Sequence, residues 1–299
     1  MPASLAFFEP QTVAEAASIL DEFEGSKVVA GGTAFTIMLR QGLIDPEGIV
    51  SLNRVPDLDR IDEADDGLRI GALVTHRRVE LNPIVQRRLS VLASTFSQVA
   101  NVRVRNAATV GGVMAESDYA SDPPTTLLAL DADVEVTGVG GQRVIPARDF
   151  FVAFYETALT PDEVVTGIRV PWLPHDAGAA YCKYVTRSSE DRPCVGVAAV
   201  VRLEADGRSC ADLRVAVGAA AETPQRLPDA EAEAVGGELS SDRIRAVAEH
   251  YASAVDTLDD MRGSAWYRTQ MVRVWVRRAI EQARDQAAVL VRADQGDSR

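Results

Sequence analysis

Apolar positions in the first fifty residues change period several times. Val13, Ala16, Ala17, Leu20 and Phe23 recur at helical spacing. They follow Thr12-Val13-Ala14-Glu15, the pattern in which a hydroxyl and a carboxylate cap a helix start reciprocally. A short apolar run over residues 27–30 predicts a buried strand that ends in Ala30-Gly31-Gly32-Thr33-Ala34. Residues 35–41 return to a helical pattern with Gly42 as the stop, and residues 48–52 read as a strand.

The next stretch is built of shorter pieces. Residues 68–73 predict a strand, and residues 91–101 predict a helix leading into Ala108-Thr109-Val110-Gly111-Gly112-Val113. Pro123-Pro124 opens a helix over 125–130, where proline is tolerated because first-turn N–H groups have no partner in the helix. Residues 134–137 and 143–145 pair as a hairpin across Gly138-Val139-Gly140-Gly141, and 163–170 form another strand. The segment Pro171-Trp172-Leu173-Pro174-His175-Asp176-Ala177-Gly178 reads as a linker. Beyond it come strands at 180–185, 195–203 and 213–217, helices at 241–255 and 264–283, and a polar tail from Ala293. This order predicts an α+β protein with a two-lobed domain over 1–173 (lobes about 1–55 and 56–173). A smaller α+β domain with a three-stranded sheet and helices follows over 179–287, then a tail over 288–299.

The two glycine pairs carry the chemistry. Glycine lets the backbone reach positive φ and lets N–H groups approach a ligand without a Cβ in the way. Successive bare N–H groups form an anion nest, and two nests brought together suit a pyrophosphate. Thr33 and Thr109 add hydroxyl donors. Asp122 has two readings: an acceptor for ribose hydroxyls, or the N-cap of the helix that starts near Pro123. Lys183 either reaches across a cleft or is an ordinary surface lysine.

Composition narrows the classes. A net charge of −13 over 299 residues argues against sequence-independent nucleic-acid binding, which needs a positive surface. There is no GxGxxG after a strand, no P-loop and no HExxH. His76, His175 and His250 are scattered, so no metal centre is expected in this chain. Cys182, Cys194 and Cys210 form no CxxC pair and are too few for a Cys₄ iron–sulfur cluster; they read as small buried hydrophobes in a reducing cytoplasm. No apolar run approaches the roughly 20 residues of a membrane span, and the first residues lack the basic start of a signal peptide. No nucleophile–base pair stands out, so no catalytic residue is expected.

A resemblance sharpens this picture over nearly the whole chain. Ala30-Gly31-Gly32-Thr33, Ile70-Gly71-Ala72-Leu73-Val74-Thr75-His76, Val104-Arg105-Asn106, Thr109-Val110-Gly111-Gly112, Leu127-Leu128-Ala129-Leu130-Asp131-Ala132, Tyr181-Cys182-Lys183-Tyr184 and Gly263-Ser264-Ala265-Trp266-Tyr267-Arg268 occur in order. With Ala147-Arg148-Asp149-Phe150-Phe151 and Thr157-Ala158-Leu159-Thr160-Pro161-Asp162-Glu163, they resemble the medium, FAD-binding subunit of the molybdenum hydroxylase family. That family includes carbon monoxide dehydrogenase, xanthine dehydrogenase and bacterial N-heterocycle dehydrogenases.

The resemblance implies an FAD-binding domain of the vanillyl-alcohol oxidase type. It implies that Val29, Ala30, Gly31, Gly32, Thr33 and Ala34, with Thr109, Gly111, Gly112 and Val113, hold the FAD diphosphate. Asp122 contacts the cofactor, Leu159 and Lys183 lie near the flavin, and Val99 neighbours the flavin or adenine. It further implies an oxidoreductase subunit in a cytoplasmic dimer of heterotrimers. A large molybdopterin subunit oxidises substrate, and a small [2Fe-2S] subunit passes electrons to FAD here. The alternatives are a stand-alone FAD-dependent oxidoreductase of the same fold, or a structural subunit that has lost FAD. Departures from the family pattern are Val113 for asparagine, Ala34 for serine or aspartate, Tyr119 for proline, and Arg192-Pro193 where a residue beside the flavin is common. Arg192 is thereby expected to set a cation near the flavin and to raise its potential or alter acceptor access.

Overall fold

The computed structural model describes residues 5–297. Contacts divide the chain into two compact units that interleave in sequence. One takes in residues up to Val79, Asn101–Ser117 and Ala132–Pro171; the other takes in Glu80–Ala100, Asp118–Asp131 and everything from Trp172 on.

The first unit holds two larger sheets and a two-stranded one, Phe151–Ala153 with Glu156–Thr157. A three-stranded parallel sheet runs in the order Ala6–Phe8, Gly48–Ser51, Ser26–Val29. The Val13–Glu22 helix buries Ala16, Ala17 and Leu20, and Ala16 and Leu20 join a core with Val50, Leu52 and Val55. At its start the Thr12 hydroxyl accepts from Glu15 N at 3.0 Å, while the Glu15 carboxylate accepts from Gln11 N at 2.7 Å. The capping box thus closes one residue earlier than its standard form. The second sheet is antiparallel, in the order Ile61–Glu63, Gly67–Gly71, Val164–Pro171, Asp133–Gly138, Gly141–Pro146. The expected hairpin is present, with Gly138 paired to Gly141.

The second unit is built on a four-stranded antiparallel meander: Ala177–Tyr184, Val195–Leu203, Cys210–Gly218 and the short Gln225–Arg226. The first three overlap the strands expected at 180–185, 195–203 and 213–217. The fourth has two residues, too few to leave a periodic signal. Val197, Ala199, Val201, Leu213 and Val215 share one core with Val272, Val276, Ala279, Ile280 and Ala283 of the last helix. Gly178 lies against that helix, where a Cβ would stand 2.0 Å from the Ala283 carbonyl oxygen.

Two helix ends differ from expectation. The helix predicted over 91–101 is Ser90–Ser97, followed by a turn with Ala100 at φ 42° and a new helix, Val102–Arg105, capped by Asn101. The last helix does not stop near 283 and runs through Asp297, so residues read as a polar tail are helical as far as they are described. The physical reason is that Ala283, Ala287 and Val291 continue the buried stripe at four-residue steps. Tyr119, the departure from a family proline, donates to Asp260 at 2.6 Å and accepts from Arg262 at 2.9 Å within the second unit.

Candidate cofactor site

The predicted site residues fall into two groups, one in each unit. The first group is the pair of glycine turns. The Ser26–Val29 strand ends in Ala30-Gly31-Gly32, with Gly32 at φ 69°, and the Phe35–Arg40 helix follows. Among the described residues, the N–H groups of Gly31, Gly32, Thr33 and Ala34 donate to no protein acceptor. Ala34 stands at the helix start with no side-chain cap. This is an open anion nest, the arrangement expected of a phosphate cradle.

The second turn is different. Val110 N donates to Val74 O at 2.9 Å, Gly111 N to Ala72 O at 2.8 Å, Gly112 N to the Thr109 hydroxyl at 3.2 Å, and Val113 N to Thr109 O at 3.0 Å. The expectation of a second bare nest therefore fails at these four N–H groups: each serves the turn itself. Glycine is required here for close packing. A Cβ on Gly111 would stand 2.5 Å from Ala72 Cβ, and one on Gly31 would stand 1.9 Å from Ala107 O. The first turn is thus pressed against the residues that lead into the second.

His76 adds to this lock. Its backbone N–H donates to Ala108 O at 2.9 Å, and its Nε2 lies 3.3 Å from Thr109 O. Burial pushes the imidazole down to about 4, against the favourable bond to Thr109 and with a smaller push from Arg105. The ring is neutral at working pH, and Nε2–H is the tautomer that the Thr109 carbonyl selects. Leu159, the remaining predicted residue of this unit, is half-buried; its N–H goes to the Thr157 hydroxyl at 3.4 Å, and no hydrogen bond ties it to either turn.

The second group is a buried polar cluster. Lys183 Nζ donates to Asp122 Oδ2 at 3.0 Å and to Gln98 O at 2.8 Å. Both side chains of this ion pair are 4% exposed, so Lys183 is not a surface lysine. Val99 follows the carbonyl that holds Lys183, and its own N–H turns back to Phe96 O at 3.3 Å. Asp122 opens the Asp122–Ala129 helix at its first residue, and Ser121 in the cap position makes no side-chain cap bond. Pro123 and Pro124 carry no N–H, and two side chains engage the carboxylate. Its other oxygen accepts from Tyr181 Oη at 2.6 Å. Burial raises the Asp122 carboxyl, opposed by Lys183 and Tyr181; burial and Asp122 together push the Tyr181 phenol well above its usual 10.

Tyr181 is the residue that sequence reasoning passed over. The available signal was period two: Tyr181 and Lys183 lie on one face of the Ala177–Tyr184 strand. Arg192 also has a definite partner. Its guanidinium lies 2.6 Å from Asp118 Oδ2, whose side chain is fully buried.

Comparison with known proteins places these features in context. Residues 3–173 match the family described as FAD binding domain in molybdopterin dehydrogenase, and residues 180–283 match the CO dehydrogenase flavoprotein C-terminal domain. The chain is similar to the nicotine 6-hydroxylase medium subunit of Paenarthrobacter nicotinovorans, with 37% identity covering 94% of this chain and 97% of that one. It is similar to the carbon monoxide dehydrogenase medium chain of Hydrogenophaga pseudoflava, with 31% identity covering 95% and 98%. Among solved structures, a carbon monoxide dehydrogenase from the same organism superposes with a TM-score of 0.92 at 32% identity, covering 96% of this chain and 99% of that one.

Proposed function

The chain belongs to the family of FAD-binding medium subunits of molybdenum hydroxylases, and on that premise we propose that it binds FAD and carries electrons from an iron–sulfur partner to an external acceptor. One observation carries the reading: four consecutive residues, Gly31 to Ala34, present N–H groups that no acceptor among the described residues takes. An anionic diphosphate suits that turn. FAD, when bound, supplies the redox chemistry; the chain supplies binding, orientation and electrostatics.

In this reading Val29 to Ala34 hold the diphosphate through backbone donors. The Thr109–Val113 turn backs them with Thr109, whose hydroxyl already accepts from Gly112 N and keeps its proton to donate. Asp122 serves as an acceptor for cofactor hydroxyls, and Lys183 supplies a fixed positive charge held on Asp122 and Gln98. Val99 and Leu159 supply apolar contact. Substrate oxidation belongs to a large molybdopterin subunit and electron delivery to a small [2Fe-2S] subunit, in a cytoplasmic assembly of two heterotrimers.

The test is flavin content. The chain is purified alone and co-expressed with its large and small partners, its absorption spectrum is recorded, and FAD is titrated in. Flavin bands at one FAD per chain are expected, with iron and molybdenum co-purifying in the assembly. A folded assembly that carries no flavin and takes none up overturns the reading.

A further inference from the structure

We propose that Tyr181 is the positioning residue of the Asp122–Lys183 pair: its hydroxyl fixes the Asp122 carboxylate in place and keeps it an acceptor for a sugar or polyol hydroxyl of the cofactor. This rests on the FAD reading above and goes beyond it, because Tyr181 acts through Asp122 and not by touching FAD.

The geometry is specific. Asp122 divides its oxygens, with Oδ1 taking Tyr181 Oη at 2.6 Å and Oδ2 taking Lys183 Nζ at 3.0 Å. Two donors from one strand face thus hold a carboxylate that burial alone would drive toward its neutral form. A neutral carboxyl would present an O–H and lose acceptor capacity. Lys183 is anchored independently by Gln98 O at 2.8 Å, so it does not rely on Tyr181. Among the described residues, Asp122 takes its side-chain donors from Tyr181 and Lys183, so loss of the Tyr181 hydroxyl leaves Oδ1 without a side-chain donor.

The sheet makes room for this hydroxyl. Lys183 pairs with Gly196 across the strands. A Cβ on Gly196 would stand 2.6 Å from Tyr181 Oη and 3.3 Å from its Cζ. A glycine in the interior of a central strand costs conformational entropy, and here it leaves space for the phenol. A purely packing role would be met by phenylalanine and would leave the Oδ1 bond unmade.

The experiment is a double-mutant cycle in the full chain, in whichever form, alone or assembled, the wild type binds FAD. Tyr181→Phe, Asp122→Asn and the double variant are compared by FAD titration and by the midpoint potential of the bound flavin. Tyr181→Phe is expected to weaken FAD binding about five- to tenfold, the range of one ordinary hydrogen bond, because the loss reaches FAD only through Asp122. The double variant is expected to bind no more weakly than Asp122→Asn alone, and its potential is expected to equal that of Asp122→Asn. Gly196→Ala, which displaces the hydroxyl but keeps the tyrosine, is expected to reproduce the Tyr181→Phe loss and serves if Tyr181→Phe does not fold. Wild-type affinity in both Tyr181→Phe and Gly196→Ala overturns the inference and leaves the FAD reading standing. So does a Tyr181→Phe loss that persists at full size in the Asp122→Asn background. A wild type that takes up no FAD overturns both.

Discussion

Gly31 lies flat against Ala107: a β-carbon on Gly31 would stand 1.9 Å from the Ala107 carbonyl oxygen and 2.7 Å from its carbonyl carbon. The contact ties a turn near the start of the chain to the approach of a second turn some eighty residues later. Both partners are backbone, so neither can swing aside.

Gly31→Ala is therefore expected to separate the turns. Overpacking of this kind costs about 1–3 kcal/mol, and FAD affinity should fall by more than tenfold. Gly140→Ala is the control, since Gly140, like Gly31, does not have positive φ, and nothing lies within 4 Å of its β-carbon position. Thermal unfolding and FAD titration of the two variants check this; equal FAD affinities would sink the claim that the Gly31 contact shapes the site.

His76 predicts acid sensitivity. Its imidazole takes a proton only near pH 4 in the folded chain, against an ordinary value of 6.5. Between those values the unfolded chain binds more protons, so the stability held by neutral His76 is complete above 6.5 and is lost as pH falls toward 4. The loss amounts to about 3 kcal/mol. His76→Gln keeps a donor for Thr109 O and removes the titration. Urea unfolding of both chains between pH 4 and 7 should show a flatter acid limb for the variant, and parallel limbs would refute the assignment.

The Arg192–Asp118 pair bears on flavin tuning. The sequence expectation gives Arg192 to the flavin, yet its guanidinium lies on the buried Asp118 carboxylate, where its charge is offset. Arg192→Ala is expected to leave the flavin midpoint potential where it was and to lower stability by about 1 kcal/mol, a modest value because Arg192 is half exposed. Spectroelectrochemistry decides the first part; a clear fall in potential would restore Arg192 as a tuning residue.

Lys183 and Asp122 are both buried, so removing one strands the other. Lys183→Met is expected to cost about 3 kcal/mol, because an uncompensated carboxylate remains in the interior. Adding Asp122→Asn to Lys183→Met should recover most of that loss, since a neutral pair needs no counter-charge. Denaturant midpoints of the single and double variants test this, and a double variant less stable than Lys183→Met would contradict it.

Elements with a strong period were legible from the chain itself. The Val195–Leu203 strand and the Gly138–Gly141 hairpin connection fall where a continuous apolar run and turn chemistry put them. Elements set by tertiary contact were not. The last helix outruns its polar-looking end because Ala287 and Val291 find the sheet core. Ser90–Ser97 ends early, before the turn at Ala100.

The site divides the same way. Sequence determined the glycine turns, Thr109 as a hydroxyl beside the second, and Asp122 and Lys183 as the polar residues to watch, because residue type and local spacing fix turn geometry and available chemistry. Tertiary structure decided which N–H groups stay open. Gly31 to Ala34 face no acceptor among the described residues, while Val110 to Val113 are consumed by Val74, Ala72 and Thr109. It also decided that Asp122 pairs with Tyr181 and Lys183 instead of capping its helix. A donor's availability depends on what folding brings within 3 Å of it, and partners sixty residues away leave no mark in the local pattern.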